Sequence, residues 1–263
     1  MSDDRDPSRL LQAASEWLDE TDRIALTHFA GELTITAKHD KSLVTQADTE
    51  IETLLRERIE RAYPGHAVLG EEYGSADDVG DGRWIIDPID ATHNFVRGIE
   101  VFATLLAFER DGVLELGIVS APAMRRRWWA VAGEGAYVRE DGVERPVRVS
   151  TVDALDRAQI VFSTLRGLDL AGLGQALHRI TALAWRDRGF GDFWGHMLVA
   201  QGSGEAMLEY GVKPWDMAAP HVIISEAGGR MTDLAGRSSW SGPQILTTNG
   251  LLHDRILELL EDR

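Results

Sequence analysis

The stretch Trp84-Ile85-Ile86-Asp87-Pro88-Ile89-Asp90-Ala91-Thr92 constrains this chain more than any other. Three large apolar residues in a row read as a buried strand. That strand runs into two carboxylates three residues apart, with a proline between them. An aspartate at the end of a buried strand is costly unless it is paired, hydrogen-bonded or bound to a metal. Pro88 fixes its φ angle and removes a backbone donor, which stiffens the turn. Two Asp side chains and an intervening carbonyl can converge on one hard cation such as Mg2+. The same residues also suit a capping turn, with Asp90 as the N-cap of a short helix beginning at Ala91.

The rest of the chain supplies material for a core. Of 263 residues, 44% are hydrophobic and 26 are glycine, the balance of a globular protein rather than a disordered one. The length suits one large domain or two small ones. Acidic residues number 43 against 27 basic ones, a formal charge of −16. That balance speaks against nucleic-acid and anionic-membrane binding, which draw on basic residues. With no cysteine, disulfides, cysteine-ligated zinc and thiol catalysis are ruled out. The opening MSDDRDPSRL is polar and lacks the apolar run of a secretory signal. No apolar stretch approaches a membrane span, so a cytoplasmic protein is expected.

The spacing of Leu10, Leu11, Ala14, Trp17, Leu18, Ala25 and Phe29 predicts a helix over 8–30, ended by Gly31. A second helix is predicted over 46–62, with Tyr63-Pro64-Gly65 as its stop. Short apolar runs at 67–69, 84–86, 101–108, 113–119 and 127–132 then alternate with Gly and Asp turns. Asp111-Gly112 is a hairpin signal, and this middle section reads as a largely antiparallel sheet. Beyond residue 150, strands at 159–162, 206–208 and 245–248 alternate with helices at 170–180, 193–200, 215–227 and 251–260, the pattern of an α/β unit. A boundary near residue 145, in the Glu140-Asp141-Gly142 turn region, divides an α+β half, 1–145, from an α/β half, 146–263.

Three further acidic segments stand out. Gly70-Glu71-Glu72 follows the 67–69 strand, although paired glutamates there also suit a solvated corner. Trp215-Asp216 opens an apolar helix, where an aspartate also serves as an N-cap. Asp48 closes Leu43-Val44-Thr45-Gln46-Ala47-Asp48, a position equally suited to an exposed first-turn acid. Taken together and in order, these segments resemble the inositol monophosphatase family of Mg2+-dependent, lithium-sensitive phosphatases. The carriers are Leu43 to Asp48, Gly70 to Glu72, Asp87 to Thr92, Trp215-Asp216 and Glu226-Ala227-Gly228-Gly229, spread over residues 10–260. Within the family the chain is similar to the histidinol-phosphate phosphatase branch. That similarity rests on Asn94-Phe95-Val96-Arg97-Gly98, Ala103-Thr104-Leu105, Arg126-Arg127-Trp128-Trp129-Ala130, Gly189-Phe190-Gly191-Asp192-Phe193-Trp194 and His196-Met197-Leu198-Val199-Ala200.

The resemblance implies a layered αβαβα sugar-phosphatase fold, part α+β and part α/β, with homodimers common. It implies two or three Mg2+ ions, with Mn2+ as a substitute, held by Glu71, Asp87, the Ile89 carbonyl, Asp90 and Asp216. One ion would activate the water that attacks phosphorus in line, and another would steady the leaving oxygen. Asp48, Glu71 and Thr92 would be catalytic, with Thr92 and Asp48 hydrogen-bonded to each other and orienting that water. The N–H groups of Ala91 and Thr92 would cradle the phosphate at a helix start. Glu72 would support the metals from behind or hold a third. His93, Asp192 and Glu209 would meet the substrate, a small phosphomonoester. Histidinol phosphate carries an ammonium and an imidazole, which suit two carboxylates; inositol phosphate carries hydroxyls alone. Two positions depart from the family pattern. Ala91 replaces a glycine, which an α-region backbone tolerates, and His93 stands where Thr or Lys is usual.

Walker A, GxGxxG, HExxH and GxSxG patterns are absent. Phe193 and Trp194 suit either a stacking surface for an imidazole or the core. Arg125-Arg126-Arg127 suits an ion-pairing surface or a subunit contact. Three readings stand: a histidinol-phosphate phosphatase of histidine biosynthesis; an inositol-1-monophosphatase or other sugar or polyol phosphatase; and a weakened relative serving in binding or regulation. Retention of Asp48, Glu71, Asp87, Asp90, Thr92 and Asp216 argues against the last. For an acidic chain to bind phosphate, bound cations must invert the sign of its site.

Overall fold

The computed structural model describes residues 6–29, 31, 35–37, 43–75 and 81–261. Helix α1 (Pro7–Phe29) buries Leu10, Ala14, Trp17, Leu18, Thr21 and Ala25, a stripe at three- and four-residue spacing. Strands β1 (Ile35–Ala37) and β2 (Leu43–Thr45) pair antiparallel, and α2 (Gln46–Ala62) follows directly. The chain then builds β3 (Ala67–Gly70), β4 (Gly74–Ser75), β5 (Arg83–Asp90), the short helix α3 (Thr92–Val96), β6 (Ala103–Arg110), β7 (Val113–Ala121), β8 (Arg126–Val131), β9 (Gly135–Glu140) and β10 (Val143–Val147). These eight strands form one sheet in the order β10-β9-β8-β7-β6-β5-β3-β4. Every pairing is antiparallel except β3 with β5. Asp111 and Gly112 both take positive φ, 51° and 79°, and close the β6–β7 hairpin as a primed turn requires.

The remaining elements are β11 (Gln159–Phe162), α4 (Leu165–Leu170), α5 (Gly174–Leu183), β12 (Arg186–Gly189), α6 (Asp192–Ala200), β13 (Ala206–Tyr210), α7 (Pro214–Glu226), β14 (Arg230–Thr232), β15 (Gln244–Thr248) and α8 (His253–Glu261). Their sheet runs β12-β11-β13-β15-β14, parallel through β13 and antiparallel beyond it.

Five layers result. Residues of α1 and α2 pack with Trp84, Ile86, Leu106, Phe108, Leu116 and Ile118 on one face of the large sheet. Ile85, Leu105, Val119 and Trp128 face the other way. They share a core with Met197 of α6, Met217 and Val222 of α7, and Val161, Met207 and Ile245 of the second sheet. Ile180 of α5 and Ile256 of α8 cover that sheet's far side. This is the expected αβαβα stack. A large sheet covered on both faces explains why its central strands read as continuous apolar runs rather than alternating ones. No helix among the described residues is long and apolar enough to cross a membrane.

The structure bears on several further expectations. The helix expected over 170–180 is two helices, broken at Ala171-Gly172-Leu173, where Gly172 takes φ +76°. The edge strand β12 reads Arg-Asp-Arg-Gly and is exposed throughout, so no apolar pattern announced it. Position 145 lies within β10, and Asp141-Gly142 is the β9–β10 hairpin turn; the chain enters the second sheet at Gln159. Residue 30, where the first helix was expected to end, lies outside the described residues. The basic run is ion-paired: Arg125 with Asp141, Arg126 with Glu140, Arg127 with Asp19 and Asp22.

Candidate active site

Asp87 and Asp90 end β5. In an unbroken strand, residues three apart face opposite sides. Here Asp87 pairs with Leu105 and Asp90 with Ala103, so three steps on β5 meet two on β6. The extra residue makes a bulge around Pro88-Ile89, a place where a proline's missing N–H is tolerated. Thr104 Oγ1 donates to Pro88 O at 2.8 Å and holds the bulge. The third carboxylate comes from the other half of the chain. Pro214 starts α7, and Asp216 Oδ2 accepts the Lys213 N–H at 2.7 Å, which fixes the acid in the first helical turn. One oxygen from each of Asp87, Asp90 and Asp216 lies within 4.8 Å of the other two.

Buried negative charges crowd this place. Burial raises Asp87 well above the usual carboxylate range, and Glu71, Asp90 and Asp216 add to the effect. Burial does the same to Asp90, with Asp192 and Asp216 next. Asp216 is pushed up to about 7, first by burial and then by Glu71, against the opposing Lys213 bond. Asp87 Oδ1 is buried and has no hydrogen-bond partner among the described residues. Converging carboxylates with a bare buried oxygen fit a hard divalent cation, which would supply both the missing partner and the missing positive charge.

Asp48 sits near Glu71 but is held otherwise than expected. The N–H and hydroxyl of Thr45 donate to Asp48 Oδ2 at 2.7 and 2.6 Å, and Thr45 Oγ1 accepts the Ala47 N–H, a complete capping box. Asp48 Oδ1 is buried without a partner, and burial raises this acid to about 6. The expected hydrogen bond between Thr92 and Asp48 is not formed. Thr92 Oγ1 donates instead to Ile89 O at 2.9 Å, because its own bulge offers the nearer acceptor. Nor is Asp90 the N-cap of α3. Ala91 takes that position with φ +64° and ψ 42°, left-handed rather than in the α region expected for it. Asp90 Oδ2 accepts the N–H of Phe193 at 2.7 Å.

The sequence reading missed Glu52. This acid is fully enclosed and accepts the N–H groups of Glu72 (2.8 Å) and Tyr73 (3.3 Å) and Nε–H of Arg56 (2.9 Å). It shapes the turn that presents Glu71. Gly70 makes room for it, since a Cβ there would stand 2.0 Å from Glu52 Oε1. The available signal was spacing: Glu52 follows Asp48 by four residues, on the helix face that carries Ile51 and Leu55.

On the substrate side, Asp192 begins α6 with φ +58° and is raised to about 7 by burial and Glu209. Glu209 Oε1 accepts the Asp192 N–H at 3.0 Å, and Glu209 Oε2 lies 2.6 Å from Nε2 of the buried His196. His93 is exposed on α3. Phe193 belongs to the core, 6.4 Å from Trp128 between ring centroids, so it offers no stacking surface.

The αβαβα layers and the carboxylates gathered where β5 meets α7 match what was expected of a phosphomonoesterase. The model of the inositol monophosphatase family matches residues 6–263, and the chain belongs to that family. A histidinol-phosphatase of Mycobacterium tuberculosis is 43% identical over 253 residues, covering 95% of this chain and 97% of its own. One from Streptomyces coelicolor is 40% identical over 259 residues, covering 96% and 97%. Among solved structures, an IMPase/NADP phosphatase complexed with Mg2+ and phosphate is 25% identical with a TM-score of 0.85, covering 97% of this chain and 96% of that one.

Proposed function

We propose that this chain is a Mg2+-dependent histidinol-phosphate phosphatase, working as a cytoplasmic homodimer. The observation that carries the reading is the meeting of two acidic groups. Asp87, Asp90 and Asp216 form one, and Asp192 with Glu209 forms the other beside it. The first suits a cation-held phosphate; the second suits an amine-bearing alcohol. The 43%-identical relative supports the same substrate.

Glu71, Asp87, the Ile89 carbonyl, Asp90 and Asp216 would hold two or three Mg2+ ions, or Mn2+ in substitution. When bound, the metal supplies the positive charge that activates a water and steadies the leaving oxygen. Around it the chain's own groups divide the work. Asp48, whose buried Oδ1 has no partner among the described residues, would orient the attacking water and take its proton. The amides of Ala91 and Thr92, at the start of α3, receive phosphate oxygens. Glu72 backs Glu71 from a turn set by Glu52. Asp192 and Glu209 line the leaving-group side, with His93 at its mouth. The half before residue 145 thus supplies most metal ligands, and the half after it supplies Asp216 and the specificity residues.

A second reading, the same chemistry on inositol 1-phosphate or another sugar or polyol phosphate, is favoured by the likeness to the IMPase/NADP phosphatase. Phosphate release from histidinol phosphate, inositol 1-phosphate and fructose 1,6-bisphosphate, each with Mg2+ and with EDTA, decides between them. Histidinol phosphate is expected to lead, with no release in EDTA. Equal or better turnover of inositol 1-phosphate overturns the first reading. No release from any ester with Mg2+ would return the chain to a binding or regulatory role.

A further inference from the structure

His196 takes no part in the chemistry above, yet it is fully enclosed and engaged at both nitrogens. Nε2 lies 2.6 Å from Glu209 Oε2, and Nδ1 lies 2.9 Å from Thr247 Oγ1. The Thr247 hydroxyl can donate to Nδ1. That assignment leaves the proton on Nε2, where it is donated to Glu209 Oε2. Slack is small, because α6 lies against β13 at Gly195. A Cβ there would meet Phe190 O at 2.4 Å and Met207 Sδ at 2.6 Å.

Both oxygens of Glu209 are therefore committed within the protein, one to His196 and one to the Asp192 N–H. The next amide, that of Phe193, is held by Asp90. Between these two grips Asp192 adopts φ +58°, the left-handed region that few non-glycine residues enter and that aspartate tolerates better than most. The Asp192 carboxylate is half-buried, lies close enough to Asp90 and Asp216 to repel both, and accepts no hydrogen bond among the described residues. Asp192, rather than Glu209, is the acid left for a ligand.

We infer that His196 is a positioning residue for substrate specificity: through Glu209 it holds Asp192 in the left-handed turn that aims its carboxylate at an amine-bearing leaving group. The inference rests on the histidinol-phosphate reading for the amine and on the hydrogen-bond chain Thr247–His196–Glu209–Asp192 for the positioning.

The test compares His196→Phe, which keeps a flat ring without donors, with His196→Gln, whose amide can replace Nε2–H, and with Thr247→Val, which leaves the imidazole in place. KM and kcat are measured with Mg2+ on histidinol phosphate, inositol 1-phosphate and p-nitrophenyl phosphate, alongside the thermal midpoint. In His196→Phe, KM for histidinol phosphate is expected to rise about tenfold, the loss of one charge-assisted hydrogen bond. Values on p-nitrophenyl phosphate should stay within about twofold. His196→Gln should recover most of the loss, and Thr247→Val should show a smaller rise. An unchanged KM in both His196→Phe and Thr247→Val overturns the inference, as does an equal rise on all three esters. If His196→Phe does not fold, Thr247→Val and His196→Gln decide. The wild-type ranking of the esters tests the substrate reading separately. A selective KM rise confined to inositol 1-phosphate keeps the positioning and overturns the amine.

Discussion

Asp90 Oδ2 accepts the backbone N–H of Phe193 at 2.7 Å, across 103 positions of sequence. Asp90 ends a strand of the eight-stranded sheet, and Phe193 lies in the first turn of α6, which packs with the five-stranded one. One carboxylate therefore sits in the acidic cluster and also joins the two halves, where a helix's first amides welcome a negative charge.

Asp90→Asn separates these roles. Asparagine keeps an oxygen for the Phe193 amide but loses the charge. The variant is expected to fold, with a thermal midpoint in EDTA within a few degrees of wild type, while phosphate release falls at least about 100-fold, on the order of 3 kcal/mol. Its stabilisation by Mg2+ should shrink. Full activity in this variant would reject the metal-site assignment.

The crowding of acids sets a pH dependence of stability. Asp48 is raised to about 6, and Asp192 and Asp216 to about 7, above their unfolded values. The folded protein then holds protons that the unfolded chain has released. This contribution is complete below about pH 4, the unfolded carboxylate value, and is lost as pH rises toward 7. Thermal midpoints in EDTA should fall from pH 5 to pH 7.5, and Mg2+ should reduce that fall. A midpoint that climbs over this range in EDTA contradicts the picture.

Ala91 occupies a left-handed backbone at the head of α3. A Cβ in that region costs roughly 1–2 kcal/mol, part of which glycine gives back through its freer unfolded chain. Ala91→Gly should raise the thermal midpoint by about 2–4 °C, for a net gain of about 1 kcal/mol in a chain of this size. A lowered midpoint would count against the strained turn.

Glu52 acts on the site from behind. Glu52→Gln retains one acceptor but weakens the hold on the Glu72 and Tyr73 amides and on Arg56. A Mg2+ titration of phosphate release should show a half-maximal concentration raised about tenfold, the usual effect of loosening a ligand's support. Glu52→Ala removes the charged partner of Arg56 and the acceptor of two amides and should lower stability by about 3 kcal/mol. An unchanged Mg2+ requirement in Glu52→Gln would detach this residue from Glu71.

Much of the architecture was legible along the chain. The predicted helix over 46–62 matches α2, and the apolar runs of the middle section mark β5 to β8, because helix and strand periods are local properties of side-chain placement. The edge strand β12 was not legible, since exposure removes the apolar signal. At the site, Asp87, Asp90 and Asp216 announced themselves by residue type, whereas Glu52 looked like an ordinary polar helix residue.

What the sequence by itself determined is the set of carboxylates, their order and the family to which the chain belongs. Acid beside buried apolar residues demands a compensating partner wherever it falls. Only the tertiary structure decided how those acids meet. A one-residue bulge turns Asp87 and Asp90 to the same side, and α7 delivers Asp216 from the far half. Thr92 spends its hydroxyl on Ile89 rather than Asp48, and His196 closes on Glu209 within the core. These are angstrom-scale choices among competing donors and acceptors, and they arise only when segments remote in sequence share one space and each buried polar atom must find its partner there.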